Sequence, residues 1–268
     1  MKKPLLKVDW LESWKLSYKY DLLEIYNAKS NLGYSYAYAN RFQWVINAVK
    51  QFVPVEGKIL DVAAAQGNFS LALAEKGYEI IWNDIRKELI KYVKLKWEKG
   101  IVHFVPGNIF EINFDFLFDA VLITEIIEHV AHPDEFLENI ARLIKPEGFI
   151  IMTSPNGEFF RNKLPKFTEC ANPSTYEKVQ FKPNADGHIF LLHLDEIEQF
   201  AKRLKLEVVE LKLISNPLTS GFIKLGPLLK FLPKKMIFAF ERVMQALPLF
   251  IKKKLMVCTC VVFRRQKI

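Results

Sequence analysis

The chain has only three cysteines in 268 residues, Cys170, Cys258 and Cys260, with no C-x-x-C pair. Neither a disulfide framework nor a zinc ligand set is expected from them, and Cys258 and Cys260, alternating along an apparent strand, read as packing residues of a reducing compartment. No stretch approaches the roughly 18 uncharged apolar residues that a spanning helix needs. The opening "MKKPLLKVDW" also lacks the apolar run of a signal peptide. The expectation is a cytoplasmic protein that at most associates with a membrane surface. Acids are scarce at one end: from Gly221 onward there are 11 Lys or Arg and one acid, Glu241, while the remaining residues carry a charge of −2. A split of that kind suggests a surface that meets phosphate, lipid headgroups or nucleic acid. Glycine is missing where a ligand-cradling turn would want it: "ILDVAAAQGNFS", residues 59–70, keeps only Gly67.

What is present is a regular alternation. Residues 9–52 read as helices rich in Trp and Tyr. Apolar runs "KILDV", "YEIIWND", "IVHFVPGN", "LFDAVLITE" and "FIIMTSPN" read as strands, separated by helical segments such as "NFSLALAEKG" and "RKELIKYVKLKWEKG". "HPDEFLENIARLIKPEG" reads as a helix opened by Pro133 and ended at Pro146–Gly148. "LDEIEQFAKRLK" adds a helix, and "LEVVELKLIS" and "LMVCTCVVFRR" add two more strands. Near-continuous apolar strands alternating with helices predict a mostly parallel α/β sheet covered on both faces. The expected organisation is a helical cap over 1–52, a core over 53–215, a basic apolar helical insertion over 216–254 and a final strand over 255–268. The loop-rich stretch from about 155 to 192 is long enough to be a functional lid.

In such sheets ligands bind beyond the carboxyl ends of the strands. Those ends carry Asp61 with the alanine turn, Asn83-Asp84, Pro106-Gly107-Asn108, and "TEIIEHV". A carboxylate such as Asp84 suits the two hydroxyls of a ribose, and the short amide of Asn108 suits an adenine edge. The turn after Asp61 lacks the G-x-G-x-x-G spacing of a nicotinamide site.

The segments "ILDVAAAQGNFSLALAEKG", "WNDI", "VPGNIFEI" and "FDAVLITEIIEHVAHPDEFLENIARLIKPEGFIIMTSPN" resemble the motif series of class I S-adenosylmethionine-dependent methyltransferases. They are most similar to the ubiquinone-biosynthesis type of small-molecule O-methyltransferase, and the resemblance runs over about residues 40–215. It implies a Rossmann-like seven-stranded sheet with helices on both faces and the last strand antiparallel. It also implies a cofactor, S-adenosylmethionine, whose methionine part lies against Asp61, Ala63, Ala65 and Gly67. Asp84, with Ile85 beside it, would hold the ribose, and Asn108 and Ile109 would flank the adenine. Thr124 would line the cofactor near the reacting methyl, and Arg41 would pair its carboxylate or face solvent. The family usually has glycine where Ala63 and Ala65 stand, and alanine is a small intrusion there as long as φ stays negative.

Glu125, Glu128 and His129 follow strand four at i, i+3 and i+4, so on a helix they would share one face. His129 suits a general base. A second reading, by resemblance to metal-dependent RNA-end 2′-O-methyltransferases and some quinone-pathway relatives, makes Glu125, Glu128, His129 and His188 the ligands of a divalent metal, manganese or zinc suiting that donor set better than magnesium. A third leaves them structural. His103, His132 and His193 read as surface or packing residues. The insertion, with Pro227, Pro233 and Pro248 cutting it into short helices, reads as a packed subdomain, a pocket cap or a peripheral membrane contact through 221–254. Nucleic acid is the weaker partner, since Tyr, Trp and Arg are not interleaved there. The expected activity is O-methylation of a small or lipid-linked metabolite, with a metal-assisted RNA 2′-O-methyltransferase or a non-catalytic binding module as alternatives.

Overall fold

A computed structural model describes residues 1–180, 187–223 and 225–267. Seven strands form one sheet: β1 (Lys58–Val62), β2 (Glu79–Trp82), β3 (Ile101–Phe104), β4 (Phe118–Thr124), β5 (Ile144–Pro155), β6 (Leu206–Ile214) and β7 (Cys258–Arg265). Their order is β3-β2-β1-β4-β5-β7-β6, and only β7 runs against its neighbours. This is the expected seven-stranded Rossmann-like sheet with an antiparallel last strand.

Both faces of the sheet are buried, which is why its strands read as continuous apolar runs. Side chains alternate between two cores, Leu60, Val121, Ile150 and Val261 on one face and Ile59, Leu122, Ile151 and Val262 on the other. The first face is covered by α5 (Pro133–Leu143) and α6 (Leu194–Arg203), through Leu137, Ile140 and Ile197. The second is covered by α2 (Leu32–Phe52), α3 (Asn68–Ala74) and α4 (Leu89–Lys96). Val45, Ala48 and Val49 of α2 are core residues of that layer, so α2 is part of the sandwich itself. The preceding helix α1 (Glu12–Glu24) packs on α2 and α4.

Two boundaries differ from the sequence reading. The helix opened by Pro133 ends at Leu143, and Ile144 already pairs with Phe118. Pro146 explains it, because the residue before a proline is driven out of the helical region. The charged helix starts only at Leu89, since the backbone of Arg86 is held in a turn by Asp84. The expected lid contains short 3-10 turns at Phe167–Glu169 and Pro173–Val179, and its residues 181–186 lie outside the described residues. The insertion forms α7 (Gly226–Phe231), α8 (Lys234–Gln245) and α9 (Leu249–Leu255). No helix among the described residues is long and apolar enough to cross a membrane.

Candidate cofactor and acceptor site

The carboxyl ends of β1, β2 and β3 are laced together by short bonds. Ala64 N donates to Asn83 O at 2.8 Å, Asn83 Nδ2 donates to Val105 O at 2.8 Å, and Gly107 N donates to Asp84 O at 3.0 Å. The turn after β1 is held at a second point, where Ala65 N donates to Asp84 Oδ2 at 2.9 Å. Gripped this way, Ala63 and Ala65 take φ of 53° and 47°, and Gly67 takes 71°. The condition of negative φ at the two alanines is therefore not met: both are left-handed, where a Cβ costs about 1–2 kcal/mol. Gly67 is needed on a further count, because a Cβ there would lie 2.9 Å from Val93 Cγ1. Replacing Ala63 and Ala65 by Gly is expected to raise stability by about 1 kcal/mol each, or about 2–4 °C per change, with little effect on cofactor affinity. A thermal melt that stays level or falls would contradict the strain.

Beneath the turn lies a buried polar network. Lys96 is fully buried and donates to Asp21 Oδ2 at 2.6 Å, Gln66 O at 2.9 Å and Asn68 Oδ1 at 2.5 Å. Tyr92 adds a hydroxyl bond to Asp21 Oδ2 at 2.6 Å. Glu24 accepts from Tyr34, from Gln66 Nε2 at 2.8 Å and from Asn68 Nδ2 at 2.9 Å. Thus α1 holds the alanine turn through side chains of Gln66 and Asn68, which sequence reading missed because the partners lie more than 40 residues apart.

Asp61 is buried, and its Oδ2 accepts from Ser70 Oγ at 2.5 Å. Burial pushes its carboxyl up to about 7, against the opposing bond from Ser70. The folded chain therefore holds this proton between about pH 4 and pH 7 while the unfolded chain releases it, so stability falls as pH rises through that window. The effect is on the order of 4 kcal/mol. Asp61→Asn is expected to flatten the dependence, as read by urea unfolding at pH 5 and pH 8. An unchanged slope would count against it.

A cavity of about 390 Å³ opens at this edge, lined by Ala63, Ile85, Asn108 and Ile109 together with Ile126, Val130, Phe136 and Asn139. Three of the residues expected around a nucleoside, Ile85, Asn108 and Ile109, thus meet Ala63, expected at the methionine part, in one space whose size and apolar walls suit a nucleoside. Asp84 is buried beside it, with Oδ1 accepting from Arg86 N and Nε at 2.9 Å and Oδ2 accepting from Arg86 Nη2 at 2.9 Å. With Ala65 N, four donors fill the carboxylate's four acceptor positions. Asn108 lines the cavity but also caps a 3-10 turn, accepting from Phe110 N at 3.2 Å and donating to Glu111 Oε1 at 2.9 Å. Thr124, half-buried, ends β4.

Arg41 is paired within the protein: Nη1 donates to Glu125 Oε2 at 3.0 Å, and its guanidinium lies 5.3 Å from the Tyr38 ring centre. Burial opposes its charge, but the Glu125 carboxylate together with Cys258, Tyr34 and Tyr38 outweighs this and raises its pKa. Glu125, Glu128 and His129 do not share a helix. Glu125 still hydrogen-bonds across the sheet edge, N to Thr153 O at 2.9 Å, at φ 54°, and only Ile127–His129 form a 3-10 turn. Glu128 instead comes together with His129 and His188, their ligand atoms within 4.8 Å of one another. The two imidazole rings meet at 4.8 Å. Neither oxygen of the buried Glu128 carboxyl has a hydrogen-bond partner among the described residues. Burial, with the Glu125 charge, pushes that carboxyl well up. Of the other histidines, His103 pairs Glu79 at 3.2 Å, His132 meets Glu177 at 3.0 Å at the cavity wall, and His193 caps α6. Cys258 and Cys260 are buried in the sheet.

This sheet order, with a ligand-sized cavity at the carboxyl ends of β1 to β4, is the class I S-adenosylmethionine-dependent methyltransferase fold. The chain belongs to the methyltransferase-domain family, which it matches over residues 38–211. It is 30% identical over 120 residues to the ubiquinone biosynthesis O-methyltransferase of Rickettsia prowazekii, a match covering 43% of this chain and 48% of that protein. It is 27% identical over 154 residues to the demethylmenaquinone methyltransferase of Clavibacter sepedonicus, covering 55% and 62%. The chain thus spans about half the length of the curated relatives it matches. Among solved structures, a SAM-dependent methyltransferase from Methanosarcina mazei shares the fold at TM-score 0.52 and 14% identity, over 82% of this chain and 98% of that one.

Proposed function

We propose that the chain transfers a methyl group from S-adenosylmethionine to an oxygen of a small or lipid-linked acceptor. The observation that carries this reading is the cavity at the strand ends, where Ala63, Ile85, Asn108 and Ile109 converge beside Asp84 and the left-handed turn. The cofactor, when bound, supplies a methyl carbon activated by a sulfonium. Asp84 and Ile85 would hold its ribose, Asn108 and Ile109 would flank its base, and the turn from Ala63 to Gly67 would bound its amino-acid end. The acceptor oxygen forms the C–O bond as the C–S bond breaks, and its proton passes to His129, which is half-buried next to His188. Holding the reactants in line supplies much of the acceleration in such a step. Relatives named for ubiquinone and menaquinone methylation support a hydrophobic acceptor.

A second reading is favoured by one observation, the buried carboxyl of Glu128, which lies beside His129 and His188 and has no hydrogen-bond partner among the described residues. One carboxylate and two imidazoles fit manganese or zinc, and Glu125 stands outside the set because Arg41 holds it. In that reading Glu128, His129 and His188 would hold a divalent metal, which would supply a Lewis acid to the acceptor oxygen. Calorimetric titration with S-adenosylmethionine tests the proposal first, and absence of binding would leave a non-catalytic module. A cofactor-consumption screen with phenols, sugars, lipid-linked acceptors and short RNA then identifies the acceptor class. Manganese bound by the wild type and lost in Glu128→Gln would favour the metal, while turnover unchanged by chelator would remove it.

A further inference from the structure

We propose that residues 222–250, with the lysines that follow them, form a binding face for an anionic phospholipid surface. The first observation is charge. The segment's bases include Lys230, Lys234, Lys235, Arg242 and Lys252–Lys254, and its one acid is Glu241. That acid is turned inward, 8% exposed, accepting from Ser215 N at 2.7 Å and from Asn216 N and Nδ2 at 3.1 and 2.7 Å. The segment therefore presents Lys230, Lys234, Lys235, Arg242 and Lys254 to solvent with no exposed carboxylate of its own, while Lys253 pairs Glu158 at 3.4 Å and Lys252 reaches Gln245 O at 3.2 Å.

The second observation is apolar exposure. Phe231 is 85% exposed and Phe250 71%, and α8 carries Met236, Phe240 and Val243 as an exposed stripe at i, i+4 and i+7. Lys235 and Arg242, also exposed, stand at the same spacing beside it. These apolar residues are not displaced core residues: α8 has its own inner face, with Ile237 buried and Phe238 edge-on to Tyr36 of α2. Large apolar side chains set among lysines on short helices are what binds the headgroup boundary of a bilayer without spanning it.

The third observation is position. The segment leaves the sheet after Ile214 and returns at Cys258, which pair with each other at the edge where β1 to β5 also end. A lipid surface bound there lies on the side of the sheet that bears the cavity, as suits an acceptor held in lipid. This placement rests on the proposed function, but the lipid contact itself does not.

The test is co-sedimentation of the full chain with vesicles of phosphatidylglycerol and phosphatidylcholine against vesicles of phosphatidylcholine alone. Binding to the anionic vesicles is expected at low salt, weakening at least about tenfold as salt shortens the screening length. Phe231→Ser with Phe250→Ser is expected to weaken vesicle binding about tenfold or more while thermal melting and cofactor titration stay unchanged. Three results would overturn the proposal. One is no binding to anionic vesicles at low salt. Another is equal vesicle binding by the serine variant with short RNA bound as well, which marks plain polyanion attraction. The third is a stable dimer that the serine variant dissociates, which assigns the face to a second copy of the chain. Loss of cofactor binding in the wild type would instead count against the methyl-transfer reading and leave this one standing.

Discussion

Lys96→Met is expected to destabilise the fold by about 3–5 kcal/mol, the usual cost of breaking a buried ion pair from one side. Both Lys96 and Asp21 are fully buried, and Asp21 Oδ1 already lacks a hydrogen-bond partner among the described residues. Burial lowers the pKa of Lys96, and the Asp21 carboxylate acts against that shift. Removing the ammonium strands Asp21 and also frees the carbonyl of Gln66 and the amide oxygen of Asn68. Because those last two belong to the alanine turn and its helix, the loss is expected to reach the cofactor site, with weaker binding alongside a lower urea midpoint. Adding Asp21→Leu should recover much of the stability, since replacing both partners with apolar groups is often neutral. A single Lys96→Met variant within about 1 kcal/mol of wild type would sink the argument.

Asp84→Asn is expected to weaken S-adenosylmethionine binding about 100-fold, close to 3 kcal/mol, because two charge-assisted bonds to ribose hydroxyls would be lost. The competing occupant is Arg86, whose Nε and Nη2 take the positions those hydroxyls would need. The Arg86 side chain is 43% exposed although Asp84 is buried, so the guanidinium has solvent to move into when hydroxyls take its place. The ribose should therefore displace it, and Arg86→Ala is expected to tighten binding a few-fold, up to about fivefold. Calorimetry on the two variants decides the matter. Weaker binding in Arg86→Ala would mean that the guanidinium orients Asp84 for the ribose and does not compete with it.

The fold was legible because burial on both faces writes strands as apolar runs, as Ile59-Leu60 and Val121-Leu122 show. Parallel strands then place Ile85, Asn108 and Ile109 at one edge without further information, and the cavity meets them there. What was not legible depends on partners distant in sequence. The φ of Ala63 and Ala65 is set by Asn83 and Asp84 gripping the turn from the next strand. Arg41 is claimed by Glu125, 84 residues on. The helical spacing assumed for Glu125, Glu128 and His129 failed because Glu125 remains tied to Thr153 as a strand-end residue. Arg86, Gln66 and Asn68 bear no motif that marks them, and only the packing reveals what they hold.

The way β6 meets β7 has one more consequence. Ile214 faces Cys258 on the last paired rung, and Val257 N still reaches Ser215 O at 2.9 Å. In connectivity the two strands form a β-hairpin, and everything from residue 216 to residue 256 is its loop. Closure entropy grows only with the logarithm of loop length, so the sheet is nearly indifferent to how much chain is threaded between those rungs. Loop closure therefore sets little limit on the length of that segment, and what ties it to the strand ends is its own packing, Glu241 on Ser215 and Asn216 and Phe238 on Tyr36.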